Sequence, residues 1–206
     1  MEIKKIGRYN RSGLMLALAF TVVNLMAAIP DAPSGLSLDG ITSSSINLTW
    51  VDNSSDETGF LIERREAFSF FYTQVGSTGA NITSYTDTGL DDNTEYFYRV
   101  RATNADGDSP ASNVESATTL LAVPDAPSGL NLGGETVSSI DLSWTDNSDN
   151  ETGFFIERRT ALTSYTQIAS TGAGITIYTN TGLDDDTEYF YRVRATNGAG
   201  QSDYSN

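Results

Sequence analysis

Neither cysteine nor histidine occurs among the 206 residues. Disulfide staples, thiolate metal sites and any nucleophile activated by an imidazole are thereby excluded. Lysine is confined to Lys4 and Lys5. Long apolar runs are confined to Leu14–Ile29, and beyond that point no apolar stripe of helical period is present. The chain beyond residue 29 must be held by apolar packing alone, without crosslinks.

The N-terminus has a composition of its own. Lys4, Lys5, Arg8 and Arg11 precede the run Leu14–Ile29, which is interrupted mainly by Thr21 and Asn24 and ends near the small residues Ala27 and Ala28. A charged stretch succeeded by an apolar one is the pattern of a secretory signal, and the run falls short of the about 20 apolar residues of a membrane span. Residues 1–28 are therefore expected to be a cleaved signal peptide. An uncleaved anchor is the alternative, because Leu25 and Met26 stand where a small residue is preferred before cleavage. Residues 1–28 hold four of the twelve basic and one of the 27 acidic residues, so the remainder carries eight against 26, a net charge of −18. A surface of that sign repels nucleic acid and anionic lipid, so no nucleic-acid partner is expected, and membrane contact only through residues 1–28. The expected location is outside the cell or on its surface.

Two halves of the remainder repeat one another. "PDAPSGL" at 30–36 returns at 124–130, Trp50 returns as Trp144, and "TEYFYRVRATN" at 94–104 returns letter for letter at 187–197. The shift is 94 before "REAFSFFYTQ" and 93 after its counterpart "RTALTSYTQ", so one residue is lost there, as expected of a surface hairpin tip. Apolar residues step by two: Leu36 and Leu38, then Ile46, Leu48 and Trp50, then Phe60 and Ile62. In "YFYRVRA", Tyr96, Tyr98, Val100 and Ala102 share one face, and Phe97, Arg99 and Arg101 share the other. Period two, with Gly, Asn, Asp and Ser clusters between the runs, predicts short strands.

A proline-led first strand, a tryptophan closing the second and the late pattern L-x-x-x-T-x-Y-x-Y-x-V-x-A together closely resemble the fibronectin type III family. "ETGF", "IERR" and "YTDTGL" are similar to its version in bacterial secreted proteins. The resemblance covers residues 30–119 and 124–206, which are taken as two domains. It implies an all-β fold: two tandem immunoglobulin-like antiparallel β-sandwiches after the N-terminal hydrophobic signal segment. Trp50, Trp144, Tyr96, Tyr189, Tyr98 and Tyr191 would form the structural core. Leu90 with Tyr96, and Leu183 with Tyr189, would form the tyrosine corner, with the phenolic hydroxyl held by a backbone carbonyl. Asp92 and Asp185 stand where the family often has proline. No Arg-Gly-Asp tripeptide is present.

Several stretches carry chemistry worth testing. The loops "DNSSDE" (52–57) and "DNSDNE" (146–151), with Asp52, Asp56, Asp146 and Asp149, offer the oxygen ligands calcium prefers, but not the spacing of a complete calcium loop. Solvated turns are the alternative, and no other cofactor is expected. The eight remaining arginines fall in matched pairs, Arg64/Arg65, Arg99/Arg101, Arg158/Arg159 and Arg192/Arg194. If the strands are neighbours as the family implies, Arg99 and Arg101 face Glu63, and Arg192 and Arg194 face Glu157, as surface sheet packing. Phe68, Phe70 and Phe71 in "FSFFY" have no aromatic counterparts in the second copy. Consecutive Phe70 and Phe71 cannot both point inward on one strand, so this stretch is the expected interaction patch, with packing over the sandwich edge as the alternative.

At the C-terminus the copies differ. "SPASN" continues into "VESATT" (114–119) in the first, whereas the second stops at "SDYSN", so the end of its last strand is expected to be missing. Either the chain is a fragment of a longer protein, or a segment of another chain completes the edge, with "IPDAPSGLSL" as a possible donor in an end-to-end assembly. The expected partner is a protein or surface glycan, or the chain itself through that open edge strand. The expected function is non-catalytic: a spacer, adhesion or interaction module, with a filament subunit or a non-catalytic part of a polysaccharide-degrading enzyme as alternatives. Carboxylate pairs on repeated turns do not suggest an enclosed acid and base.

Overall fold

A computed structural model describes residues 28–206; the signal-peptide expectation falls almost entirely outside them. All regular structure among the described residues is β-strand. The first half contains β1 (Ser34–Asp39), β2 (Ser45–Val51), β3 (Gly59–Glu66), β4 (Thr73–Gly79), β5 (Ser84–Thr88), β6 (Glu95–Asn104), β7 (Gly107–Asp108) and β8 (Glu115–Thr118). The second contains β9 (Ser128–Gly133), β10 (Ser139–Thr145), β11 (Gly153–Thr160), β12 (Thr166–Gly172), β13 (Ile177–Thr181), β14 (Tyr189–Asn197) and β15 (Gly200–Gln201).

Each half is a sandwich of two antiparallel sheets. In the first, β1-β2-β5 faces β4-β3-β6-β7, with β8 also paired to β6. In the second, β9-β10-β13 faces β12-β11-β14-β15. The central pairs result from the period-two pattern. Phe60 lies opposite Ala102 and Ile62 opposite Val100 across β3 and β6, and these four side chains are buried. Their registers repeat in β11 and β14, where Phe154 meets Ala195 and Ile156 meets Val193. A bulge interrupts the β3–β4 pairing between Ile62 and Glu63, and another the β11–β12 pairing between Ile156 and Glu157. The twist and bend of both hairpins are thus set at the same residue. Gly59 and Gly153 begin β3 and β11 because a Cβ there would run into the carbonyl oxygen of Thr78 or Thr171.

Each sandwich has its own core. Trp50 stands edge-on to Phe60 with ring centroids 5.5 Å apart, and Trp144 meets Phe154 at the same 5.5 Å. Trp50, Tyr96, Tyr98, Trp144 and Tyr191 are buried. Tyr189 is only partly buried, although its flanking sequence is identical to that of Tyr96. The tyrosine corners differ in chemistry from the family-based expectation. The Tyr96 hydroxyl accepts the amide N–H of Asp91 at 3.0 Å, and the Tyr189 hydroxyl that of Asp184 at 3.1 Å, rather than donating to a carbonyl.

The stretch between the halves is tied to both. The Ala122 N–H donates to the Asp92 carboxylate at 2.8 Å, while its carbonyl accepts from Asn197 at 2.8 Å and Asn150 at 3.2 Å. Asp92, standing where proline is common in the family, thus anchors the connecting segment. The proline-led stretch Ser34–Asp39 is paired with β2 of its own sandwich, and Leu36 is buried there. It would have to leave that core to serve as a donor elsewhere.

Candidate interaction surface

The hairpin joining β3 to β4 ends in the aromatic stretch. Phe68, Phe70 and Phe71 are 97, 93 and 81% exposed. Their turn is nevertheless braced. Arg65 Nη1 donates to the carbonyls of Glu66 and Ser69 at 3.1 and 3.2 Å, Ser69 Oγ donates to the Phe71 carbonyl at 3.1 Å, and the Ala67 amide donates to the Glu95 carbonyl at 3.1 Å. Three rings are thus displayed on a turn whose backbone is held by hydrogen bonds.

Arginines and aromatic rings interleave along the sheet face behind that tip. The Arg65 guanidinium lies 3.8 Å from the Phe97 ring centroid, and Arg99 lies 4.1 Å from that of Tyr72. The second half extends the series, with Arg159 at 4.0 Å from Phe190, Arg192 at 4.1 Å from Tyr165 and 3.6 Å from Tyr204, and Arg194 at 4.8 Å from Tyr204. Glutamates sit within the array. Glu63 pairs with Arg99 and Arg101, and Glu157 with Arg192 and Arg194. Each cation–π contact is worth about 0.5–1 kcal/mol at an exposed site, so the array stabilises the face. The three phenylalanines of the tip remain exposed. The second hairpin presents only Leu162, 98% exposed, in the corresponding region.

Glu157 gives this array a pH dependence. Burial alone would raise its pKa; hydrogen bonds from Arg192 and the Tyr204 hydroxyl, with the charges of Arg192 and Arg194, outweigh that and hold the carboxyl below its ordinary 4.5. A carboxyl depressed in the folded state contributes stability above its unfolded pKa and loses it as pH falls through the folded value. Thermal unfolding between pH 7 and 3 is expected to show the second domain losing stability below about pH 4.5. Glu157→Gln is expected to lower its melting temperature at pH 7 and flatten that decline.

The acidic loops are organised as turns. Asp52 Oδ1 accepts the Ser54 amide at 2.9 Å, and Asp56 Oδ1 accepts the Ser54 hydroxyl at 2.6 Å. Asp146 repeats the first contact with Ser148 at 3.1 Å. The second-loop counterpart of Asp56 is Asn150, whose side-chain oxygen accepts the Ser148 hydroxyl at 2.8 Å, so Asp149 is not equivalent to Asp56. Among the described residues no group of three or more acidic side chains converges on one point.

One buried polar site has no obvious signal in the sequence. Asp87, on β5, is buried and accepts Arg64 Nη1 at 2.7 Å and the Tyr98 hydroxyl at 3.0 Å. In the second half Asn180 replaces it and donates to the Tyr191 hydroxyl at 2.7 Å. Along the chain, Asp87 and Asn180 are each one polar residue among threonines. Their phase is the one clue: each shares a strand face with the inward Tyr85 or Tyr178.

Comparison with known proteins places these features in a family. The family model for the fibronectin type III domain matches residues 31–118 and 125–206. Exoglucanase B of Cellulomonas fimi is 33% identical over 178 residues, which cover 83% of this chain and 15% of that protein. Chitinase A1 of Niallia circulans is 32% identical over 189 residues, covering 87% of this chain and 25% of that one. The chain thus spans a quarter or less of these relatives. Among solved structures, the FN1–FN3 domains of chicken CNTN1 superpose with a TM-score of 0.54 at 21% identity, covering 87% of this chain and 65% of that one, a likeness of fold.

Proposed function

Since the chain belongs to the fibronectin type III family, we propose that it is a non-catalytic spacer and contact unit of a protein outside the cell, with the Phe68–Phe71 hairpin tip as its point of contact. The observation that carries this reading is the display of three exposed phenylalanines on a braced turn in one repeat only. An apolar display of this kind costs solubility unless a partner covers it. The N-terminal signal pattern and the lysine-free acidic surface support the exterior address. The repeated tyrosine corners and the connection tied to both sandwiches support the spacer role.

The partner expected at the tip is an apolar protein surface or a polysaccharide whose rings stack on aromatic faces. The test uses the chain with Phe70→Ser and Phe71→Ser together, in sedimentation with microcrystalline cellulose and chitin and in light scattering for self-association. Loss of at least one of these interactions, with unchanged melting temperature, is expected. Capture and self-association equal to those of the parent would discard the tip as a contact. A second reading, favoured by the relatives being an exoglucanase and a chitinase, is a non-catalytic segment of a polysaccharide-degrading enzyme. It predicts retention on one polysaccharide and none of the self-association.

A further inference from the structure

Each sandwich receives the chain that enters it through the same socket. In the second, Pro124 is buried, a Cβ on Gly200 would lie 3.1 Å from the Val123 side chain, and Asn197 Nδ2 donates to the carbonyls of Ala122 at 2.8 Å and Asn150 at 3.1 Å. In the first, Pro30 is buried, and a Cβ on Gly107 would lie 3.1 Å from the Ile29 side chain. Asn104 Nδ2 there donates to the carbonyls of Ala28 at 3.0 Å and Asp56 at 3.3 Å. The socket by itself holds only the entering segment.

At the joint between the sandwiches a further contact is added. Asn150 stands where the first sandwich has Asp56. Its Oδ1 accepts the Ser148 hydroxyl at 2.8 Å, as Asp56 Oδ1 accepts that of Ser54 at 2.6 Å, so either residue serves the loop. Only the amide can donate as well. Asn150 Nδ2 reaches the Ala122 carbonyl at 3.2 Å and, in the first sandwich, Asp92 Oδ2 at 3.3 Å. Asp92 Oδ2 also accepts the Ala122 amide, at 2.8 Å. On the first sandwich's side, the Leu120 amide donates to the Thr42 carbonyl at 2.9 Å, and the Asn93 amide to the Leu120 carbonyl at 3.3 Å. Leu121 is the single residue between these contacts of Leu120 and those of Ala122.

We propose that Asp92 and Asn150 form a latch across this joint, which holds the two sandwiches in one relative orientation. Linked domains move against one another by default unless their interface restrains them. Here a carboxylate of one sandwich and an amide of the other meet each other and close on the same residue of the connection, Ala122, from its N–H and from its carbonyl. Bending the chain at Leu121 or Ala122 therefore breaks at least one of these hydrogen bonds, and the bonds to the carboxylate are of the stronger, charge-assisted kind. An aspartate at position 150 would keep the bond to Ser148 but set a second carboxylate against Asp92, and like charges at hydrogen-bond distance repel. The latch deepens the spacer part of the function proposed above and rests on that part only for its use: it keeps the phenylalanine tip at a set direction from the second sandwich.

Residual dipolar couplings of the backbone amides in the whole chain test it, because two sandwiches in one orientation share an alignment tensor and two that move independently do not. The parent chain is expected to fit one tensor. Asn150→Asp is expected to lose the shared tensor while the melting temperatures of both sandwiches stay unchanged. Adding Asp92→Asn to Asn150→Asp returns a donor to face the new carboxylate, and is expected to restore the shared tensor. Asp92→Ala removes the acceptor from the other side and is expected to lose it too; it serves as the second variant should Asn150→Asp disturb its own loop. Separate tensors in the parent would overturn the latch, as would a shared tensor kept in either folded single variant. A double variant whose tensors stay separate would overturn the pairing of these two residues. No binding is read in this experiment, so its outcome and that of the phenylalanine tip are independent.

Discussion

Phe60→Ala is expected to destabilise the first sandwich by about 3–5 kcal/mol and leave the second unchanged. The Phe60 ring is wholly buried at the centre of β3, opposite Ala102 and edge-on to Trp50. Its removal loses transfer free energy, the favourable edge-to-face pair with Trp50, and the packing of a space that alanine cannot refill. Neighbours from both sheets line that space, and two paired sheets do not collapse inward without breaking register. A domain of this size has about 5–15 kcal/mol of net stability, so the change consumes a large share of it. Calorimetry should show one transition falling by about 12 °C or more while the other stays in place. The second sandwich is an internal control, because Phe154 and Trp144 repeat the same contact at 5.5 Å. Phe154→Ala is expected to exchange the two results.

That paired experiment works because the central strands were legible in the sequence. Alternation alone assigned Tyr98, Val100 and Ala102 to one face and Arg99 and Arg101 to the other, since period two leaves no other division. The ion pairs of Glu63 and Glu157 were likewise within reach once the strands were neighbours. Position relative to distant chain segments was less legible. Tyr96 and Tyr189 lie in identical eleven-residue stretches, yet one is covered by the segment 115–122 and the other borders an open groove. Phe68, Phe70 and Phe71 are all exposed, beyond the single ring that strand phase required to be, because all three lie in the turn between β3 and β4 and on neither strand. Asp149 matched Asp56 in type but not in register; Asn150 takes that place. The covering of Tyr96 is decided by residues far along the chain, which a local pattern does not contain; the Asn150 contact is local, and the shift of 94 that carries Asp52 to Asp146 also carries Asp56 to Asn150.

Asp87→Ala is expected to cost the first sandwich about 3 kcal/mol, an effect comparable with the loss of a core ring. The carboxylate is buried and serves two donors, Arg64 and the Tyr98 hydroxyl. Its removal leaves a phenol without an acceptor and a guanidinium without its counter-ion. Arg64 keeps a quarter of its side chain in solvent, so water recovers part of the loss, which places the effect at the lower end of the range for broken buried pairs. Asp87→Asn is expected to cost only about 1 kcal/mol, because it reproduces the arrangement of Asn180 with Tyr191 in the second sandwich. The same cluster sets an alkaline limit. Burial first, and then the charge of Asp87, push the Tyr98 phenol well above its ordinary 10.0. The folded state therefore holds this proton more tightly than the unfolded chain does. Its contribution is complete below about pH 10 and declines as pH rises past that value, by about 1.4 kcal/mol per pH unit. Tyr98→Phe should flatten that limb for the first sandwich, whereas Asp87→Asn should keep it, because burial, the larger cause, remains. Urea titrations at pH 9, 10 and 11 separate the two; an alkaline decline unchanged in Tyr98→Phe would assign the limit to a different group.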